Sequence, residues 1–367
     1  MTASQLKMRR REFLSASAIA LGALGATTLS SVAATPDFSA PKPVKTIPMV
    51  IGYHNNKIKI ERVTYLARNT QTEIVANLFK PEGFDENKKY AGIVVAHPNG
   101  GVKEQTAGLY AAHLAENGFV TLAYDSTYQG ESGGLPRLME NPPQRVDNIS
   151  DGIDFLSTLS FIDPERIGVL GICAGGGYAI NATQTDLRIK AVATVSMFDM
   201  GEARREAMGS LSYEARMERL KEAGRERSRE AKGGAPRYIN IVPDSPADIT
   251  DKTPLAYRQG YEYYRTKERA LHPNSPNRYL FSSLPQQMAF FPFTQIETIS
   301  PRPILLIAGS KADTKFWSDK AYELAKEPKE RFIVEGATHI DMYDQMQYVN
   351  PAVERLNSYF KRYLVDA

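Results

Sequence analysis

The chain has 367 residues, 42% of them hydrophobic and 24% charged, with a formal net charge of +3. That balance suits a folded protein with one large domain, or a domain carrying an insert, and excludes a charge-dominated disordered chain. The 26 glycines and 22 prolines are spread along the length rather than bunched, so no internal repeat is expected and no flexible linker after the N-terminal segment.

Residues 1–34 read as an address. Lys7, Arg9, Arg10 and Arg11 precede a run of small and apolar residues, and Val32-Ala33-Ala34 offers a cleavage stretch. Arg10-Arg11-Glu12-Phe13-Leu14 resembles the bacterial twin-arginine export motif, which makes the export machinery the expected partner and the periplasm or the exterior the expected location. The apolar run is rich in Gly, Ala, Ser and Thr and too short to span well, so no stable membrane span is expected after processing. Removing four basic residues and one acidic residue takes the net charge from +3 to zero, which leaves no basic bias toward nucleic acid.

Beyond residue 34 the elements follow in order. Strands are expected at 73–83 and 90–101, the second apolar on both faces as in a buried strand, then a helix at 104–118 closed by Gly118. A strand at 119–125, a helix at 145–159 and a strand at 166–172 lead to Cys173, after which a helix, a strand at 189–197, a strand at 302–310, a helix at 319–327, a strand at 330–336 and a last helix over 351–364 complete the chain. Strands alternating with helices predict an α/β fold with a mostly parallel sheet covered on both faces.

About a hundred residues break that alternation, too many for an ordinary connection. We therefore expect a core of 35–200 and 300–367 with a cap insertion at 201–299. Glu214, Glu218, Glu222, Glu226 and Glu230 recur every four residues, which predicts a solvated helix laced by ion pairs. Tyr257, Tyr261, Tyr263, Tyr264, Tyr279, Phe281, Phe290, Phe291 and Phe293 crowd the second part, suited to a small core or to one wall of a pocket.

Cys173 is the only cysteine, so no intrachain disulfide explains it, and it is either a nucleophile or a small apolar filler. Gly171-Ile172-Cys173-Ala174-Gly175 fits a G-x-S-x-G elbow with Cys in place of Ser, in the strand, turn and helix context that the motif requires. At a helix N-terminus the thiol pKa would fall, and the Ala174 amide would face a developing oxyanion. His339 lies just beyond the last expected strand and is the candidate base; His113 sits within a helix, His54 and His272 have no motif context, and His97 is placed to shape a loop. An acid to orient His339 is expected at Asp313, with Asp319 and Asp199 as alternatives. The glycines after Cys173 lack both a P-loop Lys-Ser/Thr and a G-x-G-x-x-G pattern, and no set of His, Cys or carboxylates has metal-ligand spacing.

With these residues in hand the chain resembles the α/β-hydrolase superfamily, specifically the bacterial branch related to dienelactone hydrolase, whose nucleophile is also cysteine. The resemblance covers about residues 70–200 and 300–365 and includes "YDSTYQGESGG" (124–134), similar to the D-x-x-G-x-G-E-S-G loop of that branch. It implies an eight-stranded sheet, no cofactor, and hydrolysis of an ester, lactone or thioester of a small-molecule acyl substrate through a cysteine acyl-enzyme. In "HPNGG" (97–101) Pro98 has no N–H, so the second oxyanion donor is carried to Asn99 beside Ala174. Two rival readings are an acyltransferase of the same fold and a non-catalytic periplasmic binding protein.

Overall fold

The computed structural model describes residues 43–366, so the leader expected at 1–34 lies outside the described residues. In chain order the strands are β1 (Lys59–Leu66), β2 (Glu73–Lys80), β3 (Tyr90–Ala96), β4 (Val120–Tyr124), β5 (Ile162–Ile172), β6 (Ile189–Val195), β7 (Tyr238–Asn240), β8 (Arg278–Leu280), β9 (Ile304–Gly309) and β10 (Lys329–Val334). Eight of them form one sheet in the order β1-β2-β4-β3-β5-β6-β9-β10, antiparallel at β1-β2 and β2-β4 and parallel from there on. This is the α/β-hydrolase fold.

The two faces of the sheet are sorted by the period-two alternation of side chains. Ile93 and Val95 of β3, Leu170 and Ile172 of β5, and Leu305 and Ile307 of β9 join the core beneath the helices Thr106–Glu116 and Met346–Leu364. Val94, Ile167, Val169, Ile304 and Leu306 face the opposite core, with Ile149 and Ile153 of helix Pro142–Ser157, Tyr178 of helix Ala174–Thr185 and Trp317 of helix Lys315–Leu324. Burial on both faces is why these strands read as continuous apolar runs.

The chain between β6 and β9 carries helices Met200–Glu206, Tyr213–Ala231, Leu255–Arg265 and Leu284–Met288, together with the antiparallel pair β7-β8. Helix Tyr213–Ala231 is less solvated than expected. Ala223, Glu226 and Glu230 are buried, and Glu230 accepts a hydrogen bond from Ser282 at 2.8 Å beside a small core of Ala223, Phe281, Leu284 and Met288.

A strap at 44–51 precedes β1. Val44 and the Asn274 side chain exchange two hydrogen bonds of 2.8 and 2.7 Å, Thr46 bonds Glu104 and Glu131, and the Ile51 amide donates to the Glu104 carbonyl at 2.7 Å. Beneath the strap Lys103 is buried among three carboxylates, with Nζ at 2.6 Å from Glu104, 2.9 Å from Asp125 and 3.2 Å from Glu131. The 124–134 loop is fastened by the same groups. Both carboxylate oxygens of Asp125 accept backbone amides, from Lys103 and Glu131, and a Cβ on Gly130 would stand 2.2 Å from that carboxylate.

Candidate active site

Cys173 stands between β5 and the helix Ala174–Thr185 with φ +56° and ψ −124°. A side-chain-bearing residue there stores on the order of 1–3 kcal/mol of strain, which the surroundings must over-determine. They do so through three backbone bonds: the Cys173 amide donates to the Val195 carbonyl at 3.0 Å, and its carbonyl accepts the Gly176 and Phe198 amides at 2.8 and 2.9 Å. The flanking glycines admit the close approach. A Cβ on Gly171 would lie 2.2 Å from the Gly175 carbonyl oxygen, and one on Gly175 would lie 2.4 Å from that of Ala96 at the end of β3.

The thiol opens on a cavity of about 60 Å³ whose wall includes Asn99, Phe198, Tyr264, His339 and Tyr343. Burial pushes the thiol up to about 11, against the pull of the Tyr343 hydroxyl, the Ala174 and Asn99 amides and the more distant Arg145 charge. Asn99 lines this cavity and Ala174 begins the helix that follows Cys173, so both expected oxyanion donors belong to the surroundings of the sulfur. Arg204, Ile241, Val242 and Tyr257 form a wall shared with a larger vestibule of about 560 Å³.

His339 also lies on this cavity, almost fully buried. Its Nδ1 is 2.6 Å from the Thr314 hydroxyl and its Nε2 is 3.2 Å from the Tyr343 hydroxyl. Among the described residues the ring makes no other hydrogen bond, and burial lowers its pKa to about 3, so it is a neutral imidazole. The expected acid Asp313 is not brought to it. One Asp313 oxygen accepts the Ala256 amide at 3.0 Å, in the first turn of helix Leu255–Arg265, where a helix dipole favours a carboxylate. The alternatives are occupied too: Asp199 caps helix Met200–Glu206 through the Glu202 amide, and Asp319 pairs with Lys315 at 2.5 Å and Arg331 at 2.8 Å. Thr314, the residue after Asp313, takes the place at Nδ1.

Three comparisons give this geometry a context. The profile of the Dienelactone hydrolase family matches residues 74–199. The uncharacterized protein YcjY of Escherichia coli is 41% identical over 84% of this chain and 99% of its own. The crystal structure of PA2218 from Pseudomonas aeruginosa superposes with a TM-score of 0.79 at 37% identity, covering 84% of this chain and 95% of that one. The chain belongs to the α/β-hydrolase superfamily, in one family with YcjY. A more distant relative, a thiohydrolase of Eupenicillium brefeldianum, is 26% identical over 67% of this chain and 78% of its own.

The superfamily elbow is backed here by a buried polar network. His97 accepts the Ser126 amide at Nε2 and donates from Nδ1 to the Pro98 carbonyl at 2.7 Å, a neutral ring whose tautomer its partners define. Burial, then the Arg145 charge, hold its pKa well below the usual range. Arg145 donates to the His97 carbonyl at 2.5 Å, lies 3.5 Å from Glu140 and sits over the Tyr178 ring, while Tyr178 donates to Glu140 at 2.6 Å. This braces the 97–101 loop that presents Asn99. His113 pairs with Glu116, His272 accepts the Asn274 amide, and His54 is exposed. No group of three or more His, Cys, Asp or Glu with the spacing for a metal occurs among the described residues.

Thr314, Tyr343 and Arg145 were absent from the sequence-based expectations. Only Tyr343 carried a signal: it follows His339 by four residues, the spacing that places two side chains on one side of a helical turn.

Proposed function

We propose that this hydrolase cleaves an ester, lactone or thioester through an acyl-enzyme on Cys173. The observation that carries the reading is a sulfur held at a strained elbow at the start of a helix, facing a cavity that His339 and Asn99 share. The sulfur attacks the substrate carbonyl, the two amides hold the oxyanion, and His339 takes up the thiol proton and returns it to the leaving group. In the second half His339 activates water to release the acid. The relative named a thiohydrolase supports keeping thioesters in this set. The 60 Å³ cavity suits a small acyl carbon next to the sulfur, with the remainder of the substrate in the vestibule. We also propose that the protein works outside the cytoplasm, on the strength of Arg10-Arg11-Glu12-Phe13-Leu14.

Intact-protein mass spectrometry after brief exposure to short and aromatic 4-nitrophenyl esters tests the reading. The expected result is an acyl adduct on Cys173 that is missing in Cys173→Ala. Full hydrolysis of every responsive ester by Cys173→Ala overturns it. Product analysis with an added alcohol or amine acceptor separates hydrolysis from acyl transfer.

A further inference from the structure

The nucleophile and the base of this site are not bonded to each other. Among the described residues His339 bonds Thr314 through Nδ1 and Tyr343 through Nε2, and Tyr343 lines the same cavity as Cys173. All three side chains lie on the same cavity. The Tyr343 ring is fixed by two edge-on aromatic neighbours, Tyr263 at 5.0 Å and Tyr264 at 6.4 Å between centroids, and is almost fully buried. A hydroxyl can accept one proton while donating another, so a tyrosine in this position joins two groups that do not touch.

We propose that Tyr343 is a catalytic residue that relays the proton between Cys173 and His339, with Thr314 positioning the far side of the imidazole. The inference rests on Cys173 being the nucleophile. In acylation the S–H bond breaks as its electron pair attacks the carbonyl carbon. That proton passes to the Tyr343 oxygen, and the Tyr343 proton passes to His339 Nε2. Tyr343 ends unchanged, His339 is an imidazolium, and the carbonyl π pair rests on the oxyanion. Collapse of this intermediate expels the leaving group, which receives the proton by the reverse route. The groups facing the relay are Tyr257, Tyr263 and Tyr264 from helix Leu255–Arg265 and Arg204 from helix Met200–Glu206. Burial keeps the Tyr343 hydroxyl protonated, which a relay requires.

The test is the rate of Cys173 acylation by 4-nitrophenyl acetate, followed by nitrophenol release and by protein mass, in the wild type and in Tyr343→Phe. General acid–base assistance contributes about 100-fold or more, so Tyr343→Phe should acylate about 100-fold more slowly near neutral pH. The deficit should shrink as pH rises and hydroxide makes the thiolate directly. Wild-type rates in Tyr343→Phe, or a deficit constant with pH, overturn the relay while leaving Cys173 as the nucleophile. Turnover undiminished in Cys173→Ala overturns the nucleophile and the relay together. A second measurement needs no variant. The wild-type acylation rate in mixtures of light and heavy water should curve with deuterium fraction, because two protons move together, and a straight line overturns the relay.

Discussion

Thr314 presents its hydroxyl 2.6 Å from His339 Nδ1, where a carboxylate would otherwise support a positively charged ring. A hydroxyl orients the imidazole without stabilising its cation, and burial then leaves the His339 pKa at about 3. Thr314→Asp would supply the missing charge, and an opposite charge in contact raises an imidazole pKa by about 1–3 units. The acid limb of the rate profile should move up by at least one pH unit. An unmoved limb would mean that His339 does not set it.

Asp313 has a mechanical task, holding the first turn of helix Leu255–Arg265 through the Ala256 amide. Loss of the acid from a working triad costs about 10⁴-fold in rate. Asp313→Ala should instead cost less than about tenfold in kcat while lowering stability by about 1 kcal/mol, the usual effect of removing a helix N-terminal acceptor. A loss of kcat comparable to that in His339→Asn would restore Asp313 to the catalytic set.

The thiol rests in its protonated form, because burial lifts its pKa to about 11. Thiolate is the species that alkylates, and an unperturbed cysteine titrates near about 8.5. Iodoacetamide should therefore label Cys173 much more slowly than a free thiol at neutral pH, with a rate that climbs until about pH 11. Fast labelling that levels off below neutral pH would point to a preformed thiolate and imidazolium pair.

Stability should respond to pH through His339. Its folded pKa of about 3 lies below the ordinary 6.5, so between those values the unfolded chain binds more protons and stability falls as pH falls. His339→Asn removes this contribution, so as pH falls through that range its stability relative to wild type should improve by up to about 1.4 kcal/mol per pH unit, with no further gain below about pH 3. Parallel urea titrations of the two proteins measure the difference. A gap independent of pH would show that the ring is already protonated in the fold.

Lys103 is buried and meets three carboxylates, so deleting its charge leaves Glu104 and Asp125 without their cation, while Glu131 keeps Arg62 at 2.9 Å. Removing one partner from a buried ionic group costs about 3–5 kcal/mol. Lys103→Met should lower Tm steeply, and a small change would mean that water reaches the cluster.

The elbow and the central strands were legible because each depends on a local rule: glycines where a Cβ would collide, apolar runs where both faces are covered. His339 was legible from its position after β10. Strand β1 was missed because an edge strand is covered on one face only, and "KIERVTYL" mixes charges into its alternation. Thr314 was invisible for a different reason. Asp313 and Thr314 are neighbours in one turn after β9, and which of them meets the imidazole depends on where helix Leu255–Arg265 lies, a contact that skips 57 residues. The buried acids of helix Tyr213–Ala231 escaped likewise, since Ser282 comes from 52 residues downstream.

The strap at 44–51 bears on how this protein can be handled. Its bonds reach Asn274 in one direction and the Lys103 cluster in the other, so the few residues after Val44 stitch together regions far apart in the chain. A tag joined ahead of residue 43 leaves those stitches intact. Trimming past Thr46 cuts both, and an expression boundary placed there would yield a looser protein with the Cys173 elbow still in place.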